Sequence, residues 1–172
     1  LTGLRAKTAN YPGVTVTRRE GQMELDGRDV VLVDLPGTYG LSAISPDEQI
    51  VSDALAGRLA GVDAPDAIVM VADATTLHRS LLFVAEVMRL QVPTCLVISM
   101  TDELIARGGS LDVERLSQAI GIPTIVVVGH RGVGLDELRR VMAHPEEWAQ
   151  PVVTPPADSA GRAGWVTSVL AD

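Results

Sequence analysis

The sequence has few aromatic residues, one cysteine and no long apolar run. Aromatic residues make up 3% of the 172 positions and hydrophobic residues 47%, so the core must consist of Val, Leu, Ile and Ala, as in an α/β sheet. Cys95 lies alone in an apolar run, which excludes a disulfide within the chain and predicts a buried, inert thiol. No run of 18 or more apolar residues occurs, so no segment of this sequence is predicted to span a membrane.

Basic clusters of the kind that bind nucleic acid are also missing. Fourteen basic and 22 acidic residues give a net charge of -8, and no group of Lys and Arg residues offers a footprint for a phosphate backbone. Nucleic acid is therefore not an expected partner. The histidines, His78, His130 and His144, are scattered without the spacing of metal ligands.

Residues 30–37, VVLVDLPG, are the stretch around which the rest is organised. Their apolar part does not alternate, which predicts a strand buried on both faces, as in a parallel sheet. Asp34 then stands at the carboxyl end of a strand, where open α/β sheets bind ligands. There it could hold Mg²⁺ through water, while Gly37 lets its backbone N–H approach a phosphate. The alternative is a strand with an ordinary Pro-Gly turn, and D-x-x-G alone does not decide between them.

The elements before residue 60 follow from local signals. Residues 1–12 predict the tail of a helix and a loop, whereas residues 14–25 alternate partly and end at the hairpin signal Asp26-Gly27. The first two strands should therefore be antiparallel neighbours. Ser45, followed by Pro, Asp and Glu, predicts the start of a helix.

From residue 67 onward, predicted strands and helices alternate, which is typical of parallel β-α-β units. The strands cover residues 67–72, 94–100 and 124–128, and the helices cover 77–90, 112–120 and 135–142. Residues 150–161 are rich in Pro, Ala and Gly and predict a linker, after which an amphipathic helix begins near Trp165. The predicted fold class is α/β, a doubly wound, mostly parallel sheet with one antiparallel hairpin strand.

Four motifs agree in order and spacing: N-Y-P-G-V-T at 10–15, D-L-P-G-T-Y at 34–39, S-P-D-E at 45–48 and V-A-D-A at 71–74. Together they resemble the cytoplasmic GTPase domain of the ferrous iron transport protein B (FeoB) family, from residue 1 to about 142. The resemblance implies a P-loop GTPase-like fold that binds GTP or GDP and Mg²⁺, with K⁺ as an activating ion.

The resemblance also implies roles for single residues. Thr15 matches the first switch loop, where Thr contacts Mg²⁺ and the γ-phosphate, and Asp34 and Gly37 match the second switch. Asp102 matches the Asp of the N-x-x-D motif, whose carboxylate accepts from N1–H and the amino group of guanine. The alternatives are a Thr chosen for its β propensity at position 15 and an ordinary surface Asp at position 102.

Two loops depart from the family pattern on the guanine side. Ser99 replaces the Asn of Ser99-Met100-Thr101-Asp102, and its shorter side chain offers fewer hydrogen-bonding groups, so guanine binding should be weaker than in a Ser99→Asn variant. The last loop has V-G-H-R-G at 128–132 in place of Ser-Ala, although the backbone N–H groups of Gly129 and His130 could still contact the base. We expect the His130 side chain to be exposed, and Asp73 to be structural, ending a strand and capping a turn.

The glycine-rich phosphate loop, G-x-x-x-x-G-K-[ST], is absent from the sequence. Family members carry it shortly before the Leu-Thr-Gly that corresponds to residues 1–3, and it supplies the phosphate cradle, a Lys and a Mg²⁺ ligand. We therefore expect a piece truncated at both ends that alone binds nucleotide poorly and hydrolyses GTP negligibly. The missing first strand would lie between the strands ending at Asp34 and Asp73, which leaves a gap or lets the two close up. The Asn expected to hold K⁺ belongs to the missing loop as well.

The domain prediction is a GTPase domain over residues 1–145 and, over 146–172, a linker and the start of a helical region. The leading hypothesis is a GTP-hydrolysing regulatory domain at the cytoplasmic face of the inner membrane, whose partner is its own carboxy-terminal Fe²⁺ transport region. A degenerate GTPase-like interaction module without hydrolysis is the alternative favoured by Ser99, Gly129 and the missing loop. A soluble ribosome-assembly GTPase is disfavoured by the acidic charge. The residues identify no catalytic base.

Overall fold

The computed structural model describes residues 7–11, 17–38, 40–41, 45–148, 151 and 153–171. The chain divides into two compact units, Leu1–Pro65 and Asp66–Asp172. The first contains an antiparallel three-stranded sheet and the second a parallel three-stranded sheet. The predicted α/β class, with parallel β-α-β units and an antiparallel hairpin, is confirmed. No helix among the described residues is long and apolar enough to cross a membrane.

The first unit contains β1 (Lys7–Asn10), β2 (Thr17–Leu25), β3 (Arg28–Asp34) and α1 (Pro46–Leu55), with the strands in the order β1-β2-β3. Asp26 and Gly27 both adopt positive φ, 49° and 76°, as a two-residue hairpin turn requires. The predicted hairpin is therefore confirmed. The predicted helix tail is wrong over residues 7–10, because these residues pair with β2 as a strand.

The prediction that the strand ending at Asp34 is buried on both faces is wrong. Val31 is 55% exposed, and Val30, Leu32 and Val33 are only partly buried. The reason is that β3 ends an antiparallel sheet, with β2 as its partner, instead of standing inside a parallel one. β3 and β4 (Ile68–Asp73) belong to different sheets.

The start of α1 follows from the cap that the sequence predicts. The Glu48 N–H donates to Ser45 Oγ at 3.2 Å, and the Ser45 N–H donates to Glu48 Oε2 at 3.3 Å. This reciprocal capping box, with Pro46 in the first turn, satisfies backbone donors that have no partner within the helix. The helix buries Ile50, Val51, Ala54 and Leu55.

The second unit places β4 beside β5 (Thr94–Ser99), and β5 beside β6 (Thr124–Val126). Its helices are α2 (Leu77–Met88), α3 (Thr101–Ala106), α4 (Val113–Ile120), α5 (Leu135–Ala143) and α6 (Ser159–Ala171). The central strand β5 is buried from Thr94 to Ile98. The sequence predictions missed α3, which begins directly after Met100, a residue with φ of 59°.

Two polar contacts join the last helix and the segment before it to α2 and the residue that follows α2. Arg162 Nη2 lies 2.9 Å from Glu86 Oε1, and Arg89 Nη1 donates to the carbonyl oxygen of Pro155 at 2.8 Å. Val166 is fully buried. The helix begins at Ser159, inside the stretch predicted as a linker, and the domain boundary at residue 145 stays a prediction.

Candidate functional site

In the first unit, the predicted switch residues Asp34 and Gly37 follow the end of β3. The Asp34 residue is exposed, and the four residues after it are irregular. Among the described residues, a Cβ placed on Gly37 would meet no atom within 4 Å, which leaves room for another group to approach its backbone N–H. Thr15, the other predicted Mg²⁺ residue, lies outside the described residues.

Tyr11 is a feature of this end of the sheet that the sequence reasoning missed. Its hydroxyl donates to the backbone carbonyl oxygen of Asp34 at 3.2 Å, and the residue is only 1% exposed. Burial raises the pKa of the Tyr11 phenol; the Arg18 charge opposes this shift, and the Asp34 charge adds to it. The available signal was a lone aromatic residue directly after a strand, in a chain with very few aromatics.

In the second unit, Ser99 and Asp102 stand on either side of the step from β5 to α3. The Ser99 hydroxyl donates to the carbonyl oxygen of Ala72 at 3.0 Å, across the register that pairs Asp73 with Ser99. Met100 adopts a left-handed conformation and precedes the first turn of α3, which carries Asp102. This turn directs the chain from the buried strand into a short helix at the carboxyl end of the sheet.

The loop after β6 contains the other two predicted guanine-side residues. The Val127 N–H donates to the carbonyl oxygen of Ile98 at 2.9 Å, and Gly129–Arg131 then form a 3₁₀ turn. A bridge between Val128 and Val133 closes the loop. Gly129 and His130 therefore lie on a short loop at the carboxyl end of the same sheet.

Gly134 allows this loop to return against β6. It has a φ of +79°, and a Cβ placed on it would lie 1.9 Å from the carbonyl oxygen of Val126. Side chains essentially never tolerate such an approach. Gly134 thus holds the geometry of the loop, a role that the sequence reasoning did not assign.

The two loops of the second unit meet at His130 and Asp102. His130 Nε2 lies 3.6 Å from Asp102 Oδ2, with the His130 side chain 66% exposed and the Asp102 side chain 26% exposed. The predicted exposure of His130 is confirmed. Ser99, Met100, Asp102, Gly129 and His130 thus share one edge of the sheet, because the carboxyl ends of parallel strands lie together.

Two further predictions of the sequence are confirmed in the second unit. Asp73 Oδ1 accepts hydrogen bonds from the N–H and the hydroxyl of Thr75, both at 2.7 Å, so it caps the turn after β4. Cys95 is fully buried. Burial, with a smaller contribution from the Glu137 charge, raises the pKa of its thiol to about 12, which keeps it protonated and unreactive at neutral pH.

Chemically, these residues offer carboxylate acceptors and backbone N–H donors. The Asp102 carboxylate can accept two adjacent N–H donors of a planar base. The described residues contain no group of three or more His, Cys, Asp or Glu side chains that could hold a metal ion. A single carboxylate such as that of Asp34 suits Mg²⁺, which usually keeps several waters.

Comparisons with known proteins place the chain in one family. The family model described as "Ferrous iron transport protein B" matches residues 1–142. The Fe(2+) transporter FeoB of Leptospira interrogans is 38% identical over 159 residues, which cover 92% of this chain and 22% of that protein. The chain thus spans about a fifth of the length of such curated relatives.

Solved structures show the same similarity. The cytosolic domain of the T. maritima FeoB iron transporter in its apo form superposes with a TM-score of 0.80 at 32% identity, covering 91% of this chain and 60% of that one. The GMPPNP form of the same domain gives a TM-score of 0.76 at 34% identity, covering 86% and 57%. The chain therefore belongs to the ferrous iron transport protein B family and has the fold of its G domain.

Proposed function

We propose that this chain is part of a guanine-nucleotide-binding regulatory domain that hydrolyses GTP on the cytoplasmic side of a ferrous iron transporter. The transporter's carboxy-terminal membrane region would be its partner. The observation that carries the proposal is the convergence of the loops at Asp102 and His130, 3.6 Å apart at the carboxyl end of the parallel sheet. An open α/β sheet binds its ligands at this edge.

In the proposed site, Asp102 distinguishes guanine from adenine. Its carboxylate accepts from N1–H and the amino group of guanine, whereas adenine presents an unprotonated N1 and would leave the carboxylate without a donor. The backbone N–H groups of Gly129 and His130 are the proposed donors to the base oxygen. Ser99 and Met100 complete the loop that holds Asp102 at the start of α3.

The family resemblance assigns the phosphate and Mg²⁺ contacts to Thr15, Asp34 and Gly37. Asp34 is exposed at the end of β3, and its carboxylate suits Mg²⁺ bound through water. The Mg²⁺ ion would neutralise charge on the β- and γ-phosphates. Gly37 contributes an accessible N–H, and Thr15 contributes a hydroxyl by resemblance. The cytosolic domain of the T. maritima relative has been solved in GMPPNP and GDP forms, which supports a guanine nucleotide as the ligand.

The test uses the full-length protein, reconstituted in vesicles, and its Asp34→Asn variant. The unmodified protein should hydrolyse GTP in the presence of Mg²⁺, faster in K⁺ than in Na⁺, and GTP should change the rate of Fe²⁺ uptake. Asp34→Asn should lower hydrolysis by at least about tenfold, the equivalent of about 1.4 kcal/mol, without changing the preference for guanine over adenine.

Two results would contradict this proposal. GTP binding without hydrolysis would favour the degenerate interaction module, in which nucleotide has only a structural or signalling role. Hydrolysis that does not affect Fe²⁺ uptake would leave a GTPase without the proposed regulatory function.

A further inference from the structure

We propose that Tyr11 is a positioning residue that helps to fix the end of β3 proposed to hold Mg²⁺. Tyr11 precedes the proposed first switch. Its hydroxyl would help to hold Asp34, the first residue of the proposed second switch, in position. This inference deepens the proposed function and rests on it.

The sheet topology makes this contact a link between strands that are not neighbours. β1 and β3 each pair with β2 and not with each other. The register pairs Asn10 with Thr17 and Asp34 with Arg19, so the end of β1 and the end of β3 lie at the same end of the sheet. Tyr11 directly follows β1, and its hydroxyl spans β2 to the Asp34 carbonyl oxygen, 3.2 Å away.

The surroundings of Tyr11 hold its side chain in place. The residue is only 1% exposed, and Arg18 beside it is anchored on both of its terminal nitrogens. Arg18 Nη1 donates to the carbonyl oxygen of Gly61 at 2.8 Å, and Arg18 Nη2 donates to Glu20. A tyrosine phenol carries its proton at neutral pH, so the Tyr11 hydroxyl can act as the hydrogen-bond donor.

The acceptor of this bond gives Tyr11 its proposed role. The Asp34 carbonyl belongs to the peptide unit that joins β3 to Leu35, so its orientation sets the direction in which the chain leaves the strand. The same residue carries the carboxylate proposed to hold Mg²⁺. Without the Tyr11 hydroxyl, the end of β3 that carries this carboxylate would therefore be held less firmly.

The test compares the full-length protein with its Tyr11→Phe variant, which loses only the hydroxyl. We expect kcat for GTP hydrolysis to fall about fivefold, and the Mg²⁺ concentration for half-maximal activity to rise about fivefold, the effect of losing one hydrogen bond. The KM for GTP should stay unchanged, because the proposed guanine contacts belong to other residues. Lower thermal stability with unchanged kcat and Mg²⁺ dependence would overturn the proposal, since that is the result of a purely structural role.

A control variant separates positioning from loss of stability. Asp112→Ala removes the bond from the Arg115 N–H to Asp112 Oδ1, 3.0 Å long, that caps α4, and an N-cap loss of this kind destabilises a protein by about 1 kcal/mol. It should leave kcat and the Mg²⁺ dependence unchanged. If Asp112→Ala changed both to the same degree as Tyr11→Phe, the proposal would fail.

A second measurement covers the case in which Tyr11→Phe does not fold. Replacing Tyr11 by 3-fluorotyrosine keeps the hydroxyl and allows the ¹⁹F resonance of residue 11 to be recorded with Mg²⁺ and either GDP or GMPPNP. A resonance that moves between the two nucleotides supports the proposed contact of Tyr11 with the switch residue Asp34, and one that stays in place overturns the proposal. If the unmodified protein fails to hydrolyse GTP, the proposed function fails and this inference with it; hydrolysis unaffected by Tyr11→Phe refutes the inference alone.

Discussion

The Ser99 hydroxyl donates to the backbone carbonyl oxygen of Ala72 at 3.0 Å and so ties β5 to β4. A serine hydroxyl has a single proton to donate. The Ser99 hydroxyl therefore has no second proton to donate to a nucleotide. In the proposed N-x-x-D loop, Asp102 is then the residue whose side chain contacts the base.

Ser99→Asn should strengthen guanine-nucleotide binding. The amide is longer than the hydroxyl and has two donors and one acceptor, so it can brace the neighbouring loop in addition to bonding the sheet. We expect GDP to bind about fivefold more tightly, as for one added hydrogen bond of about 1 kcal/mol, in calorimetry on the full-length protein. Equal affinities would show that position 99 does not limit binding.

Ser99→Ala is the matched control for this substitution. It removes the bond to Ala72 and should lower stability by about 1 kcal/mol. Because the Ser99 hydroxyl already donates to the Ala72 carbonyl, the GDP affinity of Ser99→Ala should equal that of the unmodified protein.

The loop after β6 provides a comparison between two glycines. Gly132 and Gly134 both have positive φ, +70° and +79°. In the described part of the chain, a Cβ on Gly132 would meet nothing within 4 Å, whereas one on Gly134 would meet the carbonyl oxygen of Val126. Gly132→Ala should cost about 1 to 2 kcal/mol, the strain of a left-handed residue. Gly134→Ala should cost clearly more, because a backbone clash is added.

Urea unfolding of the two variants measures this difference. If the loop holds Gly129 and His130 for the proposed base contact, Gly134→Ala should also weaken GDP binding by more than Gly132→Ala. Equal stability losses in the two variants would contradict the described loop geometry.

The buried thiol of Cys95 should make the chain less stable in alkali. Its pKa is raised to about 12 from an ordinary value of 9.0, first by burial and second by the Glu137 charge. Below pH 9.0, folded and unfolded chains both keep the proton, so this group adds no pH dependence. Between 9.0 and about 12, only the unfolded chain loses it, and stability falls by up to about 1.4 kcal/mol per pH unit.

The Cys95→Ala variant isolates this contribution from that of other groups. Its free energy of unfolding should fall less steeply with pH than that of the unmodified chain, in urea titrations on both sides of the thiol's ordinary pKa. Parallel pH curves for the two proteins would refute the assignment.

Much of the fold could be predicted because its signals are local. The Ser45 cap, the Asp26-Gly27 turn and the alternation after residue 67 depend on residues that are adjacent in sequence, and the structure contains all three. The strand β1 and the exposure of Val31 were not predicted, because both depend on which strands become neighbours. A run of β-branched residues indicates a strand without indicating whether a second layer covers it.

The candidate site shows the same limit. Motif spacing was enough to propose Asp34 and Asp102, but the contacts that hold them join distant residues. Tyr11 and Asp34 are 23 positions apart, and Ser99 and Ala72 are 27 apart. The pairing of His130 with Asp102 likewise needs β5 and β6 to be adjacent. Contacts between residues so far apart in the chain produce no periodic pattern in a single sequence.

The most direct measurement of the central claim is a base-exchange experiment at Asp102 in the full-length protein. Asp102→Asn replaces one carboxylate oxygen by an NH₂ group, which no longer accepts from the guanine amino group but can donate to the carbonyl that xanthine carries there. Competition binding with GDP, XDP and ADP should show the GDP affinity of the variant falling by at least about tenfold, or about 1.4 kcal/mol. Its XDP affinity should rise above its GDP affinity. A variant that keeps the GDP preference of the unmodified protein would contradict a guanine site built on Asp102.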